Sequence, residues 1–276
     1  MDRREKLLSG LSIEGKLGME IGALCRPFIK GREHEVIYAD HASTEALREK
    51  YRHDPDVAVD EIVEVTAVLG DCPLAQAVGK TVDYVVASHV IEHVPDLIGW
   101  LNELTSILNE GGEIRLIVPD KRFTFDYLRA TTRLTDVLYA DLVKARSPLA
   151  HIVMDYVLNV VKLDGSQAWR SRIEPHKLQR HHSLGDAQRI ARQILDSDAY
   201  HDVHCWVFTP RSMALLFLEL IDHQLVALEC VNFHDTAPDT IEFFVGLRPT
   251  KDFTRARQSW LAMAESARDV RTQKAL

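Results

Sequence analysis

The first 120 residues alternate short strand-like runs with segments of helical periodicity, and this alternation constrains the fold more than any other feature. Such an order is typical of a parallel sheet whose strands are joined by crossover helices. The predicted strands are residues 16–21, 35–39, 62–68, 82–87 and 114–118. We therefore predict an α/β fold built on a parallel sheet.

A helix is predicted between the fourth and fifth of these strands. Its apolar face carries four leucines at helical spacing, Leu97, Leu101, Leu104 and Leu108. This spacing places the leucines on one side of the helix, where they can pack on the sheet. Gly111 and Gly112 follow, and glycine is common just beyond a helix end, so we expect the helix to end at this pair.

Beyond residue 120 the pattern becomes helical. Ser183 and Asp186 form a capping pair before an apolar helical segment, and Thr209-Pro210 has the residue types of a helix start. Two later strand-like runs, residues 226–233 and 240–247, are close enough in the chain to pair as a hairpin. We expect a polar helix, partly ordered, from about residue 251 onward.

Charge, hydropathy and cysteine usage exclude several classes of protein. The chain has 33 basic and 41 acidic residues, a formal net charge of −8, which argues against a protein built to bind nucleic acid. No apolar run approaches the roughly 20 residues that span a bilayer, and the N-terminus lacks the features of a signal peptide. The four cysteines form no CxxC pair, so we expect reduced thiols in a cytoplasmic protein.

Several polar or glycine residues follow the predicted strands directly. They are Gly22, Asp40, Asp71, Ser88 and Asp120. In open α/β sheets, ligands bind at the carboxyl ends of the strands, so we expect these residues at one edge. The alternative at Asp40 or Asp71 is a tight turn with a solvated or capping carboxylate.

The first turn, GMEIGALCRP over residues 18–27, indicates the kind of ligand. A pyrophosphate site needs a GxGxxG turn, whereas this turn offers only Gly22, so a nicotinamide dinucleotide is disfavoured. Asp40 follows about 20 residues later, where an acidic residue can bind the hydroxyls of a ribose. The turn therefore favours a nucleoside without phosphates.

Residues 83–120 strongly resemble the fourth and fifth strands of class I S-adenosylmethionine-dependent methyltransferases, through the SHVIEHV stretch and the GG pair before the fifth strand. The resemblance covers about residues 15–120. The segments EIGALCRP, YADH, SHVIEHV and PDKRFTFDY resemble those of bacterial polysaccharide-associated sugar O-methyltransferases. This resemblance implies a Rossmann-like class I methyltransferase sheet, mostly parallel with the last strand antiparallel, carrying a helical cap insertion.

The resemblance also implies a domain organisation. It consists of a donor-binding Rossmann-like core over residues 1–120, a helical cap over 121–209 that binds the acceptor, completion of the core sheet over 210–250, and a C-terminal helix or tail over 251–276. Because the cap leaves the sheet at the carboxyl edge of the strands, it can cover a site there.

The resemblance further implies a set of cofactor-binding residues for S-adenosylmethionine. They are Glu20, Gly22, Asp40, His41, Gly70, Asp71, Cys72, Ser88 and His89. Glu20 and Gly22 are expected beside the methionine part, and Asp40 at the ribose hydroxyls. Asp71 is expected at the adenine amino group. The first turn has fewer glycines than the common GxGxG form of the family, which puts the backbone contacts to the methionine part in doubt.

Methyl transfer to a hydroxyl benefits from a base near neutral pH or from a metal ion on the oxygen. The histidine-rich stretch supplies the candidate catalytic residues His204, His182 and Asp202. A Mg²⁺ site made by the same three residues is the less favoured alternative, because their spacing matches no diagnostic motif. Glu92 and His93 are interpreted as residues that orient their loop by hydrogen bonds.

The acceptor pocket is predicted from polar and aromatic residues of the cap. The candidates are Asp120, Lys121, Arg122, Tyr127, His181 and Trp206. The lysine and arginine can equally be solvated charges, and Trp206 is expected to stack on a sugar face or cover the pocket.

We therefore predict a methyltransferase that acts on a hydroxyl of a sugar, oligosaccharide or glycolipid precursor. One alternative is a small-molecule or N-methyltransferase. Another is a non-catalytic partner of glycosyl-transfer enzymes that retains the fold. The predicted partners are a carbohydrate or other small hydroxylated acceptor, without nucleic acid or a membrane span, and a homodimer through the C-terminal helix is compatible with the sequence.

Overall fold

The computed structural model describes residues 1–70, 72–197 and 199–268, and a seven-stranded sheet lies at its centre. The strands are β1 (Leu17–Ile21), β2 (Glu35–Asp40), β3 (Ala67–Val68), β4 (Val82–Ser88), β5 (Leu108–Pro119), β6 (Leu228–His234) and β7 (Glu242–Pro249). Their order across the sheet is β3-β2-β1-β4-β5-β7-β6. Strands β1 to β5 pair in parallel, and β7 is antiparallel to both β5 and β6. The predicted α/β class and the hairpin of β6 and β7 are confirmed.

The helices accompany the sheet on both sides and form the cap. They are α1 (Arg3–Leu7), α2 (Thr44–Lys50), α3 (Leu74–Val78), α4 (Leu97–Ser106), α5 (Leu134–Leu142), α6 (Ala150–Asn159), α7 (Gly165–Arg170), α8 (Leu184–Ser197), α9 (Pro210–Asp222) and α10 (Phe253–Ser266). Short 3₁₀ turns cover Val59–Glu61, Lys121–Phe123 and Pro175–Lys177. Among the residues that the structure describes, no helix combines the length and the apolar character needed to cross a bilayer.

Strand β4 lies at the middle of the sheet, between β1 and β5, and is buried on both faces. Its residues Val85 and Tyr84 are fully buried on opposite faces, in two different apolar clusters. Gly18 of β1 pairs with Tyr84, and a Cβ atom there would lie only 2.3 Å from the phenol ring. A glycine at this position is therefore required by the close approach of the two strands.

The third predicted strand is much shorter than expected, because only Ala67–Val68 pairs with β2. Ile62 instead packs with Cys25 and Leu47 in a separate apolar cluster. The backbone N–H of Val63 donates to the carbonyl of Leu24, outside the sheet. The apolar run thus reflects burial against a loop and α2, which strand periodicity alone does not distinguish from sheet pairing.

The helix before β5 also ends earlier than predicted. It ends at Ser106, and Leu108 pairs with Val82 in the sheet instead of extending the helical face. Gly111 and Gly112 lie within the long β5, where the register with β4 shifts, and Gly111 has a positive φ of 75°. The glycine pair therefore accommodates an irregular strand start rather than a helix end.

Residues 121–209 contain helices α5 to α8 and lie outside the strands of the sheet. Helices α6 and α8 pack on each other around a small core of their own, which contains Val157 and Ile194. Ser183 and Asp186 exchange hydrogen bonds at the start of α8, at 3.0 and 3.2 Å, so the predicted capping pair is present. Thr209 caps α9 with Pro210 in its first turn. The division of the chain into functional domains stays a prediction.

Segment 203–208 leaves this cap and enters the main core. Cys205, Trp206 and Phe208 are buried with the residues of the sheet, and Phe208 forms a bridge with Asp120 at the end of β5. The C-terminal helix α10 is docked on α9 and β6, since Trp260 is fully buried and stacks on Phe217 at 4.2 Å. A homodimer through this helix stays a prediction.

Candidate active site

A cavity of about 840 Å³ opens at the carboxyl ends of β1, β2 and β4. Six of the predicted cofactor residues line it, namely Gly22, Asp40, His41, Gly70, Cys72 and His89. This volume lies within the range of about 300–1,000 Å³ that is usual for ligand pockets. Asp71 lies outside the described residues. The sheet edge thus collects residues that are far apart in the sequence, as the parallel topology predicted.

Gly22 forms the turn that follows β1 at the floor of the cavity. Its backbone N–H donates to the carbonyl of Ala39 on the neighbouring strand, at 3.0 Å. Its φ is 69°, and a Cβ atom would approach Cγ2 of Val90 to 3.2 Å. Glycine therefore permits both the left-handed backbone and an open approach for a ligand.

Asp40 ends β2 with its carboxylate almost buried, at 7% exposure. Its Oδ1 atom accepts a hydrogen bond from the backbone N–H of His41 at 2.7 Å and faces the ring Nδ1 of that residue at 2.6 Å. No hydrogen bond to Oδ2 is found within the described part of the chain. One carboxylate oxygen is therefore fixed, and the other is able to accept from a ligand hydroxyl.

Glu20 does not line the cavity, although it was predicted beside the methionine part. Its two carboxylate oxygens accept hydrogen bonds from the backbone N–H groups of Phe28 and Ile29, both at 2.8 Å. Burial raises the pKa of Glu20 to about 7, against the lowering effect of these two hydrogen bonds. The structure thus gives Glu20 a role in holding the loop after β1. Ser88, at the end of β4, is also absent from the lining.

The loop after β4 begins with His89, a non-glycine residue with a positive φ of 53°. Its Nε2 atom lies 2.8 Å from Oε2 of Glu242 on β7, and its Nδ1 atom lies 3.6 Å from Oε1 of Glu92. Glu242 also accepts from Arg3 at 2.6 Å. A non-glycine residue keeps this uncommon backbone conformation only where contacts around it stabilise it, and the contacts to Glu242 and Glu92 do so for His89.

The cap contributes Asp202 to the cavity, opposite His93. Oδ1 of Asp202 lies 2.8 Å from Nδ1 of His93. Burial lowers the pKa of His93, but the hydrogen bond to Asp202 and the charges of nearby carboxylates more than offset this effect and raise it. The hydrogen bond to His93 in turn lowers the pKa of Asp202. The predicted catalytic residue Asp202 is therefore hydrogen-bonded to His93, a residue interpreted from the sequence as one that orients its loop.

His204, the other predicted catalytic residue, lies deeper in the molecule at 8% exposure. Its Nδ1 atom lies 2.6 Å from Oδ2 of Asp126. Arg129 donates to Asp126 at 2.9 Å and to the backbone carbonyl of His204 at 2.8 Å. Burial raises the pKa of Asp126, but the hydrogen bond and electrostatic interaction with His204 and the charge of Arg129 together bring it below its ordinary value.

Glu92 lies close to both histidines and is fully buried. Neither of its carboxylate oxygens has a hydrogen-bond partner among the described residues. Its nearest ligand atoms and those of His93 and His204 lie within 4.8 Å of one another. This cluster was not predicted from the sequence. The available signal was an adjacent acid and histidine at the carboxyl end of a central strand.

The histidine pair of the cap is not brought to this cluster. His181 and His182 are exposed before α8, with ring centroids 6.1 Å apart, and neither lines the cavity. The catalytic role of His182 and the alternative Mg²⁺ site of His182, Asp202 and His204 stay predictions, and the cavity lining does not include His182. The reason is the path of the chain, since α8 separates the two histidine-containing segments.

Other predicted acceptor residues form structural contacts outside the cavity. Asp120 is fully buried, where its oxygens accept from Arg122 and from Thr236. Lys121 donates its Nζ to the backbone carbonyl of Tyr127 at 2.8 Å. These contacts hold the chain where it leaves β5, and none of the four predicted residues at 120–122 and 127 lines the cavity.

Trp206, which was expected to stack on a sugar face or cover the pocket, does not line the cavity. The indole is 1% exposed and belongs to the main core. Its Nε1 donates to the carbonyl of Val94 at 2.6 Å. Trp206 therefore anchors segment 203–208 against the loop that follows β4.

The profile of a family described as "Methyltransferase domain" matches residues 22–220, which span the sheet edge, the cavity and the cap. The chain belongs to this methyltransferase domain family. The strand order of the sheet is consistent with membership of this family, and the membership supports S-adenosylmethionine as the cofactor. It does not specify the acceptor.

Solved structures with a similar fold include several methyltransferases. The CcbJ methyltransferase from Streptomyces caelestis is 12% identical, with a TM-score of 0.45 and coverage of 90% of this chain and 89% of that one. The magnesium protoporphyrin IX methyltransferase ChlM from Synechocystis PCC 6803, with bound SAH, is 10% identical, with a TM-score of 0.38 and coverage of 90% and 80%. Likenesses at this low identity show the fold alone. No curated protein matches the sequence.

Proposed function

We propose that this protein is an S-adenosylmethionine-dependent O-methyltransferase whose acceptor is a hydroxyl of a sugar, oligosaccharide or glycolipid precursor. The observation that carries the proposal is one continuous cavity. It joins the nucleoside-type residues Gly22 and Asp40 with the polar pair of His93 and Asp202. A methyl donor and a polar acceptor can meet in such a cavity.

The residues present fit the donor. Asp40 offers Oδ2 to the ribose hydroxyls while Oδ1 is held by His41. Gly22 leaves space that a Cβ atom would fill, and the apolar side chains of Leu69 and Leu74 line the cavity beside Gly70, where an adenine ring can pack. We therefore assign donor binding to Gly22, Asp40, His41, Gly70 and Cys72.

When bound, S-adenosylmethionine supplies an electrophilic methyl group: the acceptor oxygen forms the new O–C bond, the C–S bond breaks with its electron pair left on sulfur, and the hydroxyl proton is released. The protein then has two tasks, alignment and removal of that proton. Alignment alone is worth several kcal/mol in well-oriented reactions. The imidazole of His93, held by Asp202 through Nδ1, is positioned at the cavity surface to take the proton at Nε2.

The acceptor side of the cavity supports a polyhydroxylated ligand. Aromatic and charged side chains line it together, namely Trp100, Glu103, Lys144, Arg146 and Tyr200. Aromatic faces pack on the C–H faces of sugar rings, while charged and polar groups bind hydroxyls.

All four cysteines are free thiols, which supports the proposed cytoplasmic setting.

Two experiments test the proposal in sequence. In the first, calorimetry measures binding of S-adenosylmethionine and its demethylated product to the wild type and to Asp40→Ala. We expect micromolar binding by the wild type and a loss of at least about tenfold in the variant, since hydrogen bonds to a charged group are worth about 1.5–3 kcal/mol. Asp56→Ala, an exposed acidic residue outside the cavity, is the matched control and should bind like the wild type.

The second experiment is an acceptor screen read by mass spectrometry. Sugars, oligosaccharides and glycolipid precursors are compared with small amines and phenols. Methylated sugar products support the proposal, whereas methylated amines alone favour a small-molecule or N-methyltransferase. Failure of the wild type to bind the donor would instead favour a non-catalytic partner of glycosyl-transfer enzymes.

A further inference from the structure

We propose that Glu92, His93 and His204 form a binding site for a divalent transition-metal ion at the inner wall of the cavity. The three side chains come from the loop after β4 and from the segment that leaves the cap. Their ligand atoms lie within 4.8 Å of one another. This distance is close enough for one cation to contact all three after small side-chain adjustments.

The buried carboxylate of Glu92 is the observation that most directly requires a ligand. The residue has no solvent exposure, and neither oxygen has a hydrogen-bond partner among the described residues. Nδ1 of His89 lies 3.6 Å from Oε1, which is outside hydrogen-bond range. Burying an ionised carboxylate without a partner is costly, and buried charges are normally paired or bound to metals. A cation between Glu92 and the histidines would satisfy both oxygens.

The two histidines are oriented in the manner typical of metal ligands. Nδ1 of His93 lies 2.8 Å from Asp202, and Nδ1 of His204 lies 2.6 Å from Asp126. Metal-bound histidines almost always donate their second ring nitrogen to a carboxylate or carbonyl, which fixes the tautomer. Both carboxylate contacts use Nδ1, so Nε2 is left in each ring. A cation bound to Nε2 of His93 would replace the proton-accepting role proposed for that atom, and the cation itself would then activate the acceptor hydroxyl.

The ligands are also held by contacts that do not depend on a cation. The backbone carbonyl of Glu92 accepts from the N–H groups of Cys205 and Trp206, at 2.6 and 3.1 Å. Arg129 fixes both Asp126 and the backbone of His204. The two ligand-bearing segments are therefore joined directly, which preorganises the site.

The donor set indicates the class of metal. Two imidazole nitrogens and one carboxylate are typical of sites for Zn²⁺, Fe²⁺ and other first-row transition metals, whereas Mg²⁺ prefers oxygen ligands. His93 also lines the cavity, so an open coordination position can face an acceptor oxygen. A cation bound there would acidify the acceptor hydroxyl, and this catalytic role rests on the proposed function. Metal binding itself does not depend on it.

The experiment titrates the full-length, chelator-treated protein with Zn²⁺, and separately with Mg²⁺, by calorimetry. We expect one equivalent of Zn²⁺ to bind tightly and Mg²⁺ to bind far more weakly. Glu92→Gln and His204→Ala should each weaken Zn²⁺ binding at least about 100-fold, and Asp126→Asn about 10- to 100-fold. Zn²⁺ should also raise the melting temperature of the wild type, because a ligand that binds the folded state stabilises it.

The double variant His181→Ala/His182→Ala is the matched control, because this exposed pair is the most plausible adventitious site. This double variant should still bind one equivalent of Zn²⁺ tightly. Absence of saturable Zn²⁺ binding by the wild type would overturn the proposal, as would binding that is lost only in the double variant.

A spectroscopic measurement on the wild type covers the case in which a variant fails to fold. Co²⁺ added to the chelator-treated protein should produce the visible absorption of a nitrogen–oxygen site with low coordination number. The spectrum of hexa-aqua Co²⁺ alone would contradict the proposal. Donor binding measured in the same sample separates the two hypotheses, because intact S-adenosylmethionine binding without metal binding leaves the proposed function standing.

Discussion

Nδ1 of His204 lies 2.6 Å from Oδ2 of Asp126, and the side chains of both residues are at least nine-tenths buried. The two residues are 78 positions apart, one just after β5 and one where the chain leaves the cap. Arg129 supplies the second charge of this network through its contact with Asp126. The contact therefore joins the segment after β5 to the segment that leaves the cap, and it fixes the position of the His204 imidazole.

Removing the charge of Asp126 is expected to destabilise the fold. In Asp126→Asn, Arg129 loses a buried anionic partner, and breaking a buried ion pair costs about 3–5 kcal/mol. Because asparagine can still accept one hydrogen bond, we expect a loss near 3 kcal/mol in the free energy of unfolding, measured with urea. Asp136→Asn, which breaks the exposed pair with Arg133, should lose less than about 1 kcal/mol. Equal losses in the two variants would contradict the prediction.

Glu20 is expected to make stability depend on pH. Its pKa is raised by burial from 4.5 to about 7 in the folded state, so the folded protein binds a proton more tightly than the unfolded chain. The contribution to stability is therefore complete below pH 4.5 and is lost as the pH rises through about 7, by roughly 3 kcal/mol.

The variant Glu20→Gln isolates this effect, because glutamine does not titrate. Urea unfolding at several pH values should show that the wild type loses stability relative to the variant between pH 4.5 and 8. Curves that stay parallel over this range would show that the carboxylate of Glu20 does not titrate there.

Gly18 is expected to tolerate no side chain. In Gly18→Ala, the new Cβ would lie 2.3 Å from the ring of Tyr84, which is fully buried at the centre of the sheet. Overpacking of this kind costs about 1–3 kcal/mol, and we expect the upper part of that range from chemical denaturation. Gly185→Ala in the first turn of α8 is the control, where the nearest contact is an ordinary 3.7 Å and alanine favours the helix. A stable Gly18→Ala would contradict the close approach of β1 and β4.

The hydroxyl of Tyr84 is expected to contribute nothing favourable to stability. It is buried and has no hydrogen-bond partner within the described chain, so Tyr84→Phe should be neutral or stabilising by about 1 kcal/mol. Tyr38→Phe is the matched control, because Tyr38 lies on β2, the other strand that pairs with β1. The Tyr38 hydroxyl donates to the carbonyl of Ile29 at 2.6 Å and accepts from the N–H of Gly31 at 3.0 Å. Its removal should cost about 1 kcal/mol in thermal or urea unfolding, and the opposite ranking would contradict the assignment.

Local patterns in the sequence were sufficient to predict the edge of the sheet at which the cavity lies. Strand ends are marked by residue type, and a parallel sheet brings all its carboxyl ends to one edge whatever the loop lengths between them. Gly22 and Asp40 were predicted together at this edge for that reason, and both line the cavity. The same reasoning did not predict the direction of each side chain. Glu20, one residue from the strand end, points to the loop at Phe28 and Ile29 instead.

The acceptor side was decided by tertiary structure. His182 and His204 have equal standing in the sequence, but only His204 enters the core, because the chain turns back toward β4 after α8. The sequence by itself determined the sheet and its ligand-binding edge, since periodicity and turn residues act over a few positions. The cluster of Glu92, His93 and His204 depends on contacts across more than 100 residues, and such contacts are set by packing of the whole chain.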